Sequence, residues 1–223
     1  MSAFRKSVAV LNKELLSEFR TRYAISAVML FVLTTITMVV FATAGDLLTP
    51  TVAGGILWIV MFFAAMTGLS KIFVSEEERG TSLYLKMVAG SSAIFFGKLI
   101  FNILLALSLN IIAVLLFFIF IGNIEVKSLL IFGLSIGLGS LAIASSTTII
   151  SALIAKANSK NALFPVLSFP ILLPVIILGI QTTVMSFEGT DFESVRNDFQ
   201  VLFAYSGLMT VASYFLFDFV WKE

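Results

Sequence analysis

The sequence predicts an all-α integral membrane protein of six transmembrane helices, and three observations carry that prediction. Of its 223 residues, 59% are hydrophobic and only 12% charged, with a mean hydropathy of +1.08, far outside the range of a soluble domain of this size. Six hydrophobic runs reach about 20 residues, the length a helix needs to cross roughly 30 Å of hydrocarbon. Finally, lysines and arginines fall almost entirely on one side of those runs.

The runs read as spans at about 23–43, 52–73, 99–121, 129–155, 162–182 and 201–221. The fourth is long enough to tilt or to project from the bilayer. The fifth carries Pro165, Pro170 and Pro174, so a kinked or broken helix is expected there. Twelve of the fourteen Lys and Arg residues lie before the first span, in the second and fourth loops or at the C-terminus, and only Lys127 and Arg196 lie on the other side. Both termini and the loop around Arg79 are therefore expected in the cytoplasm. Tyr23 and Trp221, at the inner ends of the first and last spans, fit an interfacial aromatic belt. Ala42, Thr43 and Ala44 resemble a signal-peptide cleavage site, but the preceding apolar run is longer than a typical h-region.

Ahead of the first span, Phe4, Val8, Leu11, Leu15 and Phe19 line one helical stripe, and Lys6, Lys13 and Arg20 recur at heptad spacing opposite it. This predicts an amphipathic helix over about 3–22, lying in the membrane interface. No soluble domain can be cut out, so residues 1–223 read as one transmembrane permease-like domain. The outer segment from Ser186 to Gln200 mixes Glu188, Asp191, Glu193 and Asp198 with Phe187, Phe192 and Phe199, and reads either as a short surface helix or as a solvated loop.

Cysteine and histidine are both absent, which removes disulfides, thiolate nucleophiles and the usual imidazole ligand. The stretch "GSSAIFFGKL", Gly90–Leu99, has the flavour of a phosphate loop, but six residues separate its glycines and Leu99 stands where Ser or Thr would bind magnesium. No catalytic site, metal site or nucleic-acid tract is expected. Asn102, Asn110 and Gln181 read as interhelical hydrogen-bonding groups. Gly133 and Gly137 form a G-x-x-x-G continued by Ser140 and Ala144, a small-residue seam that suits internal packing or a homodimer, with packing the preferred reading. Asp218 lies one turn from the end of the last span, within reach of headgroups or water.

The most informative segment is "SEEERGTSLYLKM", Ser75–Met87. It predicts one short helix with Glu76, Glu77, Glu78 and Arg79 at its charged start. Leu83, Tyr84, Met87 and Val88 would form an apolar side seated on the membrane or on the protein itself. A helix joined firmly to two spans is what a permease needs to receive a push from a separate ATPase.

Three stretches together resemble the CcmB family, the B-type permease subunit of the cytochrome c maturation system. "EEERGTSLYLKMVAGSSAIFFGK", Glu76–Lys98, is similar to the family's E-x-E-x-G start, matched by Glu76, Glu78 and Gly80, and to its "SAIFLGK"-like entry into the third helix. "FPVLSFPILLPVIILGIQTT", Phe164–Thr183, resembles its proline-repeated helix, and "LNKELLSEFRTRYAISAVMLF" and "LFDFVWKE" agree as well. The chain departs from the pattern at Gly90, Ser91 and Ser92, where the family usually carries a proline and charged residues.

The resemblance implies an ABC-2-type exporter permease in the bacterial inner membrane. It also implies work with a CcmA-like ATPase, a CcmC-like haem-handling protein, a CcmD-like small subunit and a CcmE-like haem chaperone. In that reading ATP is used by the partner, haem is handled by the complex, and this chain binds no cofactor directly. The ATPase-coupling residues would be Glu76, Glu77, Glu78, Arg79, Gly80, Leu83, Tyr84 and Met87, and helix packing would fall to Gly133, Gly137, Pro165, Pro170 and Pro174. The alternatives are a permease of the same fold exporting a lipid, drug or glycan, and a non-transporting membrane scaffold.

Overall fold

The computed structural model describes residues 3–43, 46–122, 124–155 and 160–222, apart from the side chains of residues 3, 23, 160–162 and 222. Among the described residues there are nine helices: α1 (Ala3–Thr21), α2 (Tyr23–Ala42), α3 (Pro50–Leu69), α4 (Lys71–Glu78), α5 (Ser82–Val88), α6 (Ser91–Phe120), α7 (Leu129–Ala155), α8 (Lys160–Glu188) and α9 (Phe192–Lys222). The segments long and apolar enough to cross a membrane are Ala24–Ala42, Pro50–Glu78, Ser91–Phe120, Leu129–Ala155, Leu163–Glu188 and Phe192–Trp221. The third and sixth begin at Ser91 and Phe192 rather than at 99 and 201, because helix geometry carries each apolar run on through a flanking polar turn.

Local signals set the helix ends. Pro50 occupies the first turn of α3 and the Thr49 side chain accepts a hydrogen bond from Val52 N, satisfying a donor that has no partner inside the helix. Between α1 and α2 the chain turns sharply at Arg22, whose φ is 51°, and the Glu18 carboxylate reaches across to accept from Ala24 N at 2.9 Å. At the other end of the bundle, Gly189 adopts φ 81° and both Gly189 N and Thr190 N bond back to the Met185 carbonyl at 3.1 Å, which closes α8 and lets α9 start at once. The segment 186–200 is thus a tight turn between two helices. Phe187 and Phe199 are buried within it, and Phe192 stacks on Phe199 at 6.0 Å.

Helix α7 is the centre of the bundle and packs against α3, α4, α6, α8 and α9. Its many hydroxyls are buried, and most turn back on the helix itself: Ser145, Ser146, Thr147 and Thr148 each donate to the carbonyl four residues earlier at 2.6–2.9 Å. Two cross-links then fix α6 against α7. Asn102 Nδ2 donates to Thr148 Oγ1 and Asn110 Nδ2 to Ser140 Oγ, both at 2.8 Å, and the fully buried Ala106 and Ala144 lie midway between the two rungs on their helices. Asn102 and Asn110 are the interhelical groups that the sequence indicates. Gln181 is not: it lies on an exposed face, without a hydrogen-bond partner among the described residues.

Close helix approach occurs elsewhere than at the G-x-x-x-G. A Cβ added at Gly133 or Gly137 would meet nothing within 4 Å, so those glycines face outward. The close contacts are made by Gly139 on α7 and Gly179 on α8, where a Cβ would come within 2.2 and 2.1 Å of the ring of Trp58. That indole is fully buried and donates through Nε1 to Thr183 Oγ1 at 2.9 Å. The physical reason is size: the glycine seam that matters is the one facing the largest side chain in the core. Helix α8 runs on through Pro165, Pro170 and Pro174, so of the kink or break expected there the break does not occur. Pro170 and Pro174 are exposed and Pro165 half-buried, while the Tyr205 hydroxyl from α9 donates to the Ile171 carbonyl beside them. The prolines therefore shape an outer face more than a packing seam.

Candidate coupling site at the charged end of the bundle

One end of the bundle gathers α1, α4, α5, the start of α6 and the end of α9. Gly97 makes the first of these junctions possible. A Cβ there would come within 2.7 Å of the Ser7 carbonyl and of Val10 Cβ, so α1 lies directly against α6. Val10 and Glu14 point into that contact; of the apolar stripe of α1, Leu11 and Leu15 pack partly against the core while Phe4, Val8 and Phe19 are exposed at its two ends. Membrane is what such a stripe is suited to meet.

Four charges meet beneath this contact. The Lys98 ammonium, 0% exposed, donates to Glu14 Oε1 at 2.7 Å, to the Ile72 carbonyl at 2.6 Å and to Glu76 Oε1 at 3.3 Å, and lies 4.9 Å from the centre of the Phe73 ring. Lys13 donates to the same Glu76 oxygen and to Glu14 Oε1 at 3.2 Å. The second Glu76 oxygen accepts from the Thr81 hydroxyl. Two cations and two carboxylates thus balance, and all three Lys98 protons have acceptors. Taking such charges out of water costs several kcal/mol each, an amount returned only when the hydrogen bonds are complete, as they are here. Burial draws the Lys13 pKa down, but the Glu14 carboxylate, followed by the bond and charge of Glu76, outweighs this and leaves it above the ordinary lysine value.

Glu76 was expected to face outward with its neighbours; the structure instead buries it, at 4% exposure, against Lys98. An internal cation claims it. Glu77 is half-buried, and Glu78 and Arg79 are exposed. The single helix expected over 75–87 is also divided. Gly80 takes φ 66°, Gly80 N bonds to the Glu77 carbonyl at 3.2 Å and Thr81 N to the Glu76 carbonyl at 2.9 Å, so α4 is closed by a tight turn before α5 begins.

The short helix α5 turns its apolar side away from the bundle, which leaves the membrane of the two seats expected for it. Ser82 and Leu85 are buried, whereas Leu83, Tyr84, Met87 and Val88 are 71, 70, 81 and 52% exposed, so they do not seat on the protein itself. Lys86 holds α5 in place, its ammonium 5.3 Å from the Trp221 ring. Trp221 stacks on Phe217 at 5.3 Å and meets Phe73 edge-on at 5.5 Å, so α4, α5 and α9 share one aromatic cluster. It is buried there, at 3% exposure, and does not serve as an interfacial anchor; the Tyr23 side chain lies outside the described residues. Asp218 accepts from the Ser91 hydroxyl at 2.5 Å, tying α9 to the start of α6.

The chain matches the family described as CcmB protein over residues 5–221. It belongs to the CcmB protein family. With six helices of spanning length, it is a multi-pass membrane protein of the haem-transport permease type associated with cytochrome c biogenesis. No curated protein matches the chain. Among the described residues no group of three or more acidic, His or Cys side chains is placed to hold a metal ion. Sequence reasoning missed the partners Glu14 and Lys98. The available signal was a single carboxylate flanked by Leu11 and Leu15, and a single lysine opening the long apolar run of α6.

Proposed function

We propose that this chain is the transmembrane permease subunit of a Ccm-type ABC transporter in the bacterial inner membrane. The charged end would face the cytoplasm, and its α4–α5 segment would receive the motion of a CcmA-like ATPase. The observation that carries this reading is the pairing of an exposed apolar helix face, Leu83, Tyr84 and Met87, with a buried ionic anchor tied to Thr81, the residue that precedes the helix. Force applied at α5 passes through the Gly80 turn to Glu76, and from there to Lys98 on α6 and Glu14 on α1. A loosely tethered loop would dissipate that displacement.

Glu77, Glu78 and Arg79 flank the face and suit orientation of the partner more than raw affinity. CcmC-, CcmD- and CcmE-like proteins are the further partners, and haem handled by the complex, or release of the haem-loaded chaperone, is the output. The lack of His and Cys in this chain agrees with a mechanical part and argues against common axial haem ligation by the chain itself.

The test is affinity purification of the complex in mild detergent with L83E/M87E and, as a control, E188K/D191K/E193K at the opposite end. The first should lose the ATPase and its stimulated turnover while the control keeps both. Full recovery of ATPase activity and chaperone release with L83E/M87E rules out α5 as the contact.

A further inference from the structure

A depression of about 400 Å³ separates the second half of α1 from the α4–α5 turn, lined by Lys13, Leu16, Ser17, Arg20, Thr21 and Arg79. Three of its six lining residues are cationic and none is acidic. Lys13 is held by Glu14 and Glu76. Arg20 and Arg79 are exposed and have no ion-pair partner among the described residues. Glu14, Glu18 and Glu78 line an adjoining cleft that shares Arg79 with the depression; Glu14 is held by Lys98 and Lys13, and Glu18 is engaged in capping α2. Both guanidinium groups border one concavity and are free to bind an anion that enters it.

Depth identifies the anion. Arg20 stands just ahead of Ala24, where the first membrane-spanning segment begins, so its guanidinium is at headgroup level when that segment enters the hydrocarbon. Leu16 and Phe19, in the turn of α1 that leads into Arg20, are 70 and 69% exposed, an apolar edge that suits acyl chains and does not suit bulk water. Guanidinium forks match phosphate oxygens in pairs, and the Ser17 hydroxyl is at hand as a further donor.

We propose that Lys13, Arg20 and Arg79 form a seat for the phosphate of an anionic phospholipid in the leaflet at this end of the bundle. The lipid bridges α1 to the α4–α5 turn, so that membrane composition sets how firmly the turn is held. The seat adjoins the proposed ATPase contact and shares Arg79 with it, whereas Lys13 and Arg20 belong to the seat alone.

The experiment measures lipid retained by the purified chain after exchange into mixed micelles of phosphatidylglycerol or phosphatidylcholine with matched acyl chains, counted by mass spectrometry. Wild type should retain phosphatidylglycerol preferentially. R20Q/R79Q should lose roughly fivefold in retention for each cation removed, R20K/R79K, which keeps the charge but not the fork, should fall between it and wild type, and K127Q/R196Q at the opposite end should behave as wild type. Equal retention of the two lipids by wild type overturns the proposal, and this reading stands even if R20Q/R79Q does not fold. So does unchanged phosphatidylglycerol retention by a folded R20Q/R79Q. Displacement of the lipid by inorganic phosphate at equal concentration assigns the seat to a free anion and overturns the lipid assignment. Loss of the ATPase from R20Q/R79Q with lipid retention intact assigns it to a protein partner, with the same consequence.

Discussion

Glu14 on α1 and Lys98 on α6 are 84 positions apart in sequence, yet their charged atoms lie 2.7 Å apart with both side chains buried. This pair joins the amphipathic N-terminal helix to the transmembrane bundle. Glu76 completes it from α4, so one ammonium holds three segments together. Lys98→Met leaves two carboxylates buried without their central cation and should destabilise the protein by about 3–5 kcal/mol. K98M/E14Q/E76Q, which removes the stranded charges, should recover part of that loss. Denaturant unfolding in lipid–detergent micelles, followed by tryptophan fluorescence, measures both. A K98M protein as stable as wild type means that the network is not needed to hold the fold.

Lys13 gives the same junction a pH limit. Its pKa is raised above the ordinary 10.5, so its contribution to holding α1 is fully present below that value and is lost as pH rises through the higher folded value. A spin label at Asn12 should therefore stay immobilised up to about pH 10 and gain mobility at higher pH. In K13Q the label should show no Lys13-dependent transition in that window. An identical pH profile in the two proteins assigns the transition to another group.

The glycines of the bundle separate into two classes. G139A and G179A drive a methyl group into the Trp58 ring and should each cost about 1–3 kcal/mol. G133A and G137A meet open space and should stay within about 1 kcal/mol of wild type, in the stabilising direction where helix propensity decides. The same unfolding assay checks all four. A reversed order returns the packing seam to the G-x-x-x-G.

Orientation follows from twelve of fourteen basic residues lying on one side. A reporter fused after Glu223 or inserted near Arg79 should be cytoplasmic, and one near Asp191 should lie outside. A cytoplasmic signal from the Asp191 insertion contradicts a six-span path with this orientation.

The chain purified alone should carry no stoichiometric haem, since it contains neither His nor Cys. Absorbance spectra of the isolated chain and of the complex with its partner subunits make the comparison. About one haem per isolated chain would refute a purely mechanical role.

Much of the architecture was legible in the sequence because a bilayer imposes its own period. Apolar runs long enough to cross it and the amphipathic spacing of Phe4 to Phe19 are local signals, and the helices appear where those signals lie. Asn102 and Asn110 were legible for the same reason, since an amide in hydrocarbon must find a partner.

Only the tertiary structure decided which partner each polar or small residue meets. Glu76, Glu77 and Glu78 are identical in sequence chemistry, yet one is an internal ligand of Lys98 and another is exposed, because the start of α6 delivers an ammonium to a single position on α4. Gly139 and Gly179 are set apart from Gly133 and Gly137 only by the placement of Trp58. The apolar face of α5 points outward because Leu85 and Lys86, not Leu83 and Tyr84, meet the bundle once the Gly80 turn has set the helix's rotation. Periodicity along one helix shows that it has faces; which face turns inward depends on surfaces brought from distant parts of the chain.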